Sequence, residues 1–214
     1  MQIVLTSDTP SIRFLCEKDK RLAKLMSLVG PLSYSVHEDG FAFLIAEIIE
    51  QMLSVKAAHA IFSRLKERCR GAVTPQALQS LTDDDIKSCG TSVNKVKTIR
   101  RLCEALAGET LVLEDLPHCP DQEVMQRLTA VWGLGQWTAK MYLLFVLDRS
   151  DILPYEDVAF LQTYKWLYKT TDTAPVAVQK KCRKWRPYSS VAARYMYRAL
   201  DLGLTRREFH LFKA

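Results

Sequence analysis

Along most of the chain, apolar residues recur at the three-to-four-residue spacing of an α-helix, and glycine and proline fall at the breaks between runs. Ile12, Leu15, Leu22 and Leu25 predict a helix over 11–26, entered through Pro10 and ended by Gly30-Pro31. Residues 41–53 are nearly all apolar and predict a core helix. Ser54 is placed to cap the next one, 55–69, with Gly71 beyond it. Thr74 and Thr82 precede two short helices, 75–81 and 83–89. A longer helix over 92–106 carries Val93, Val96, Ile99, Leu102 and Leu106 on one face. Residues 109–116 hold a short strand or an irregular link. Two helices follow, 122–132 and 136–147, the first entered from Pro120, with a Gly-x-Gly turn between them. A loop over 151–156 containing Pro154 leads to helices over 157–168, 175–184 and 188–201. The predicted fold class is all-α.

Composition narrows the class. With 214 residues, 48% of them hydrophobic, the chain can bury a core as one large domain or two small lobes. The net charge of +6 is spread along the chain and suits a polyanionic partner. Cysteines at 16, 69, 89, 103, 119 and 182 form no CxxC pair or tight cluster, which argues against zinc fingers and iron–sulfur clusters and for reduced thiols. His37, His59, His118 and His210 show no metal pattern. With neither a leader-like N-terminus nor an apolar run of spanning length, a cytoplasmic protein is expected, nucleoid-associated if bacterial.

Two features carry chemistry. Gly133 and Gly135 permit a tight turn free of Cβ interference. Outward amides there, with those at the start of the helix from Gln136, can receive a phosphate, and Thr138 can cap that helix or touch the backbone. No clear strand precedes the glycines, and the longer dinucleotide signature is missing, so a Rossmann site is excluded. The second feature is Asp157, at the start of an apolar helix after Pro154-Tyr155-Glu156. It can be a simple N-cap, and that role is compatible with a chemical one, because helix-start amides and the helix dipole favour an anion. The adjacent Glu156 is the rival carboxylate and points elsewhere on a helical start.

In order and spacing, these segments resemble the helix-hairpin-helix DNA glycosylases that carry a Gly/Pro-rich loop and a catalytic aspartate, in particular their alkylation-repair branch, DNA-3-methyladenine glycosylase II. The resemblance covers about residues 11–203. It rests on residues 48–58, on Gly90-Thr91-Ser92-Val93-Asn94-Lys95, on Gly133-Leu134-Gly135-Gln136-Trp137-Thr138-Ala139, on the loop 151–157, and on the late segment from Trp185-Arg186-Pro187 to Ala193. It implies two helical lobes with a cleft between them: residues 38–147 form the hairpin lobe, and residues 1–37 with 148–214 form the other. It also implies a monofunctional enzyme that flips an alkylated purine, 3-methyladenine or 7-methylguanine, out of duplex DNA and hydrolyses its N-glycosidic bond. Asp157 would stabilise the oxocarbenium character at C1′ and orient or deprotonate water. Strand-cutting relatives carry a nucleophilic lysine where this chain has Trp137, and Lys140 lies about a turn further on.

The resemblance assigns further expected roles. Trp137, with Trp185 and Tyr188, would form the base pocket, where an indole stacks on a cationic purine. Gln51, Met52 and Leu53 would form the wedge that fills the vacated space, Met52 foremost, with a buried helix end as the competing reading. Gly133, Gly135, Gln136, Thr138, Lys95 and Lys140 would hold the DNA backbone. The carbonyls of Thr129, Val131 and Leu134 would surround a structural Na+ or K+, and no cofactor would be required for hydrolysis. The partner would be double-stranded DNA with a damaged base, met by a monomer. Glu50 departs from the small or polar residue common in relatives, and the chain is too short before its first helix for the β-rich region some of them carry. The alternatives are a glycosylase for deaminated or oxidised bases and a non-catalytic helix-hairpin-helix DNA-binding protein.

Overall fold

A computed structural model describes residues 2–212, which are mostly helical and divide into two compact units, Met1–Val36 with Asp148–Ala214, and His37–Leu147. The first unit holds a strand β1 (Gln2–Leu5), helices α1 (Pro10–Lys18) and α2 (Lys20–Val29), and a strand β2 (Leu32–Ser35). The second holds α3 (Gly40–Glu50), α4 (Val55–Arg68), α5 (Pro75–Gln79), α6 (Asp83–Ser88), α7 (Val93–Ala107), α8 (Asp121–Thr129) and α9 (Gln136–Phe145). The chain then returns to the first unit with α10 (Val158–Tyr168), α11 (Pro175–Cys182) and α12 (Ser189–Asp201). No helix among the described residues is long and apolar enough to cross a membrane.

The mostly helical architecture matches the hydrophobic pattern, with instructive departures. β1 pairs antiparallel with β2, Gln2 opposite Ser35 and Leu5 opposite Leu32. Each strand is four residues long and buries one end residue, Leu5 or Leu32, so its sequence carries almost no alternation to detect. Residues 113–118 form a 3-10 helix rather than a strand. Val93 is exposed, so the buried face of α7 is Val96, Ile99, Leu102 and Cys103.

The helix expected over 11–26 is broken at Asp19, whose backbone is extended. Its Oδ1 accepts from the Arg21 and Leu22 amides at 3.1 and 3.3 Å, which starts α2. Its Oδ2 accepts from Trp185 Nε1 at 3.0 Å, from the Tyr168 hydroxyl, and from Lys184 Nζ at 3.0 Å. At 2% exposure this is a buried carboxylate, tolerated because both oxygens are fully engaged. Burial alone would raise its pKa, but the bonds from Tyr168, Trp185 and Lys184 outweigh that and hold it below the usual carboxylate value. Around it α2, α10 and α12 pack together, with Thr163 Oγ1 donating to the Met196 carbonyl at 3.1 Å between the last two.

A depressed native pKa makes Asp19 stabilising above its unfolded value, and that stabilisation disappears as pH falls through the native one. Asp19→Ala is expected to cost about 3 kcal/mol near neutral pH, because it strands the buried donors around the site. The difference from wild type should shrink below about pH 4, the unfolded carboxylate range. Urea denaturation across pH 2–7 measures this, and a loss that stays constant with pH would remove the charge from the explanation.

Candidate functional site

In the hairpin, α8 gives way to residues 130–135 and α9 starts at Gln136, with Gly135 as its cap and no capping side chain. The Leu134 amide donates to the Val131 carbonyl at 3.1 Å and closes the turn. Gly133, Gly135 and Gln136 are exposed, and the first amides of a helix have no carbonyl of their own helix to bond, the arrangement that can receive an anion. The two glycines are there for different reasons. Gly133 has φ +90°, and a Cβ on it would collide with the Thr98 side chain on α7. Gly135 has φ −95°, and a Cβ there would meet nothing. Only the first glycine is demanded by the fold, which corrects the expectation that both serve the turn.

Next to the hairpin, α3 ends at Glu50, and residues 51–53 leave the helix. Met52 has φ +60° and its side chain is fully exposed, with Leu53 also exposed. A helix end buried in the core is therefore overturned. Lys95, expected to hold the DNA backbone, instead turns inward. Its Nζ donates to the carbonyls of Ile49 at 2.7 Å and Gln51 at 2.8 Å, capping α3 from α7. Partial burial lowers its pKa. Gln51 Nε2 donates to the Gly133 carbonyl at 3.3 Å and to Thr138 Oγ1 at 3.5 Å. Thr138 is buried, so it supports the hairpin from inside rather than touching a ligand. Lys140 and Trp137 are both half-buried on α9. Trp132 is exposed, with Lys97 Nζ 4.4 Å from its ring centroid.

In the other unit Asp157 starts α10, its Oδ1 accepting from the Phe160 amide at 2.7 Å while its own amide donates to the Pro154 carbonyl at 3.0 Å. It is 9% exposed, whereas the neighbouring Glu156 is half-exposed. The start of α12 braces the loop before it. Asp151 accepts from Ser189 Oγ at 2.6 Å and from Arg186 Nε at 2.6 Å. Ser190 Oγ accepts from the Ile152 amide at 2.8 Å, and the Ser190 amide donates to the Ser150 carbonyl at 3.0 Å. The late segment 185–193 thus holds the aspartate loop. Two of its residues depart from expectation or stay peripheral. Trp185 is wholly buried, packed edge-on to Phe160 with its N–H on Asp19, and it belongs to the core instead of a base pocket. Tyr188 is half-buried against Phe14, centroids 5.4 Å apart.

Sequence reasoning missed Asp19, Thr98 and the Asp151–Ser189 brace. It also missed Arg194, which is buried, stacks 3.8 Å from the Tyr34 ring centroid and pairs with Asp148 at 2.8 Å. For Asp19 a signal existed, an Asp directly before a helix start, where its carboxylate accepts from the amides two and three residues on. The others depend on contacts between distant segments.

The chain belongs to the HhH-GPD superfamily of base excision DNA repair proteins, whose family model matches residues 45–187, a span that includes the hairpin and Asp157. It is 29% identical over 193 residues to DNA-3-methyladenine glycosylase 1 of Schizosaccharomyces pombe, across 88% of this chain and 85% of that protein. The crystal structure of a DNA-3-methyladenine glycosidase from Bacillus halodurans superimposes with a TM-score of 0.84 at 30% identity, covering 98% of this chain and 97% of that one. A 3-methyladenine DNA glycosylase from Schizosaccharomyces pombe in complex with abasic DNA gives 0.82 at 25% identity, covering 96% and 100%.

The two glycines generate a direct test of the hairpin. Gly133→Ala is expected to cost about 2 kcal/mol, from the φ penalty and the Thr98 collision together. Adding Thr98→Ala should return only the collision part. Gly135→Ala should change stability by no more than about 0.5 kcal/mol. Urea denaturation of the three variants measures these differences, and equal losses at the two glycines would contradict the turn geometry.

Proposed function

We propose that the protein is a monofunctional DNA glycosylase that hydrolyses the N-glycosidic bond of alkylated purines in duplex DNA. The observation that carries this reading is Asp157, a buried carboxylate fixed at the start of α10 by the Phe160 amide, inside the span that matches the repair family. The C1′–N bond breaks with its electron pair going to the base, and C1′ gains oxocarbenium character. The anion of Asp157 stabilises that cation, and water adds to C1′ as its proton passes to the carboxylate. The products are a free base and an abasic site. A purine methylated at N3 or N7 carries positive charge, which is neutralised as the base departs, so it leaves without an acid to protonate it. The Trp137 indole suits the same charge by stacking. Because Trp137 stands where a strand-cutting relative has its lysine, no Schiff base forms.

In this reading the exposed amides at Gly133, Gly135 and Gln136 take a DNA phosphate, and Met52 with Leu53 fills the space left by the flipped nucleotide. The Thr129, Val131 and Leu134 carbonyls are oxygen donors of the kind a hard monovalent cation takes, and Val131 keeps a second lone pair beyond its bond from the Leu134 amide. A cation there would add positive potential beside the phosphate and would take no part in bond cleavage.

Asp157→Asn separates chemistry from folding, because Asn is as good an N-cap as Asp. On randomly methylated duplex DNA, the wild type is expected to release 3-methyladenine or 7-methylguanine, and the variant to be slower by at least about 100-fold at an unchanged melting temperature. Borohydride should trap no covalent complex. Equal release by both proteins would take Asp157 out of the reaction, and release only of deaminated or oxidised bases would change the substrate class.

A further inference from the structure

The end of α3 lies at a junction. Lys95, on α7, donates to the carbonyls of Ile49 and Gln51, the residues on either side of the helix terminus. Those carbonyls are among the groups a helix leaves unsatisfied at its C-terminus, and an ammonium there also complements the negative end of the dipole. Gln51 makes a second tie, from its side-chain amide to the Gly133 carbonyl in the hairpin turn and to Thr138 at the start of α9. α7 also supports the turn itself, since Gly133 packs against Thr98. The next residue, Met52, is held in the left-handed region, which costs an L-residue energy, with its whole side chain in solvent. A strained backbone presenting an apolar side chain to water persists only where its surroundings over-determine it. Here Lys95 and Gln51 supply that constraint.

We propose that Lys95 is a positioning residue for base flipping: with Gln51 it ties segment 51–53 to the hairpin and its supporting helix, so that seating the hairpin on a phosphate and driving Met52 into the duplex are one event. This rests on the reading of segment 51–53 as the duplex wedge. It assigns Lys95 an internal role in place of a phosphate contact, and the two roles make opposite predictions. A phosphate ligand contributes to the salt dependence of binding to any duplex. A positioning residue contributes only where a base pair must be opened.

Lys95→Met keeps the stem and removes the donors, while Lys95→Arg keeps a donor. The probe is a duplex with 2-aminopurine beside an abasic-site analogue, whose fluorescence rises as the neighbouring stack opens. At saturating protein the wild type should give the rise, Lys95→Met should lose most of it, and Lys95→Arg should recover a good part. On undamaged duplex the slope of log affinity against log salt should be unchanged. A slope reduced by about one unit would make Lys95 a phosphate ligand and overturn the proposal. In single-turnover base release, Lys95→Met should be slowed about 30-fold on a paired lesion and less than about threefold on a lesion opposite a one-nucleotide gap, where the pair is already open. Equal slowing on both substrates would also overturn it. If Lys95→Met does not unfold cooperatively, Gln51→Ala, which removes the second tie alone, undergoes the same comparison and should show the same selectivity in smaller measure. Failure of the glycosylase reading looks different: the wild type would release no base from methylated DNA, while the fluorescence of the variants would still decide whether Lys95 sets the wedge.

Discussion

The first unit is organised by one buried negative charge. Asp19 ends α1, starts α2, and accepts from Tyr168 at the last residue of α10 and from Trp185 and Lys184 just beyond α11. Segments nearly 170 residues apart in sequence are thereby held on one carboxylate. Its consequence for the candidate site runs along α10. That helix has an aspartate at each end: Asp157 caps its first turn, and Asp19 fixes its last residue through the Tyr168 hydroxyl. A carboxylate meant to face a developing cation needs a rigid mount, because its electrostatic effect depends on being in position before the charge appears. The brace of Asp151, Ser189 and Ser190 adds a third point, fixing the loop that enters the helix.

The second unit solves a similar problem with the opposite sign. There the groups needing partners are backbone carbonyls at the end of α3, and the partner is the Lys95 ammonium. In the second unit the helix terminus is satisfied by a side chain from a distant element, whereas in the first the capping carboxylate is adjacent in sequence and its further donors come from distant elements. The result is that the two candidate segments, 51–53 and 151–157, are fixed by polar bonds, with the Met52 side chain left exposed in the first. The glycines of the hairpin follow the same division of labour. Gly133 is required by the internal contact with Thr98, whereas at Gly135 the protein imposes nothing, so a demand for glycine there has to come from what binds outside.

What the sequence made legible was local. Ser54, Thr74, Thr82 and Asp157 each cap the helix that follows, because capping involves residues only two or three apart. The mostly helical fold and its family were legible from the hydrophobic period and the ordered motifs. What stayed hidden was long-range satisfaction. A lysine in a basic, exposed-looking helix start carries no mark that its ammonium will be consumed by two carbonyls some 45 residues away. Trp185 and Trp132 show the same limit in opposite directions. One is buried with its N–H taken by a distant aspartate, and the other is left exposed beneath a lysine. The break at Asp19 is signalled only by the Asp itself, which caps α2 through the amides two and three residues on; the apolar period continues across it, and the carboxylate's other partners are tertiary.

The proposed reaction explains why so little catalytic equipment is needed. Cleaving an N-glycosidic bond of a neutral purine leaves an anionic base, which calls for an acid as well as a stabiliser of the sugar cation. A methylated purine already carries the charge that protonation would supply, so the acid becomes redundant. In the proposed reaction an anion on the sugar side, the role assigned to Asp157, then meets the main chemical demand. The same logic makes an amine at residue 137 a disadvantage, since its positive charge would repel the cationic base that the indole attracts. In the proposed reaction, selectivity for a cationic base arises in the substrate itself, since a neutral purine leaves as an anion unless it is protonated. With weak chemical demands on the site, the proposed reaction shifts accuracy to the opening of the base pair, the step to which the strained Met52 backbone and its two polar ties are assigned.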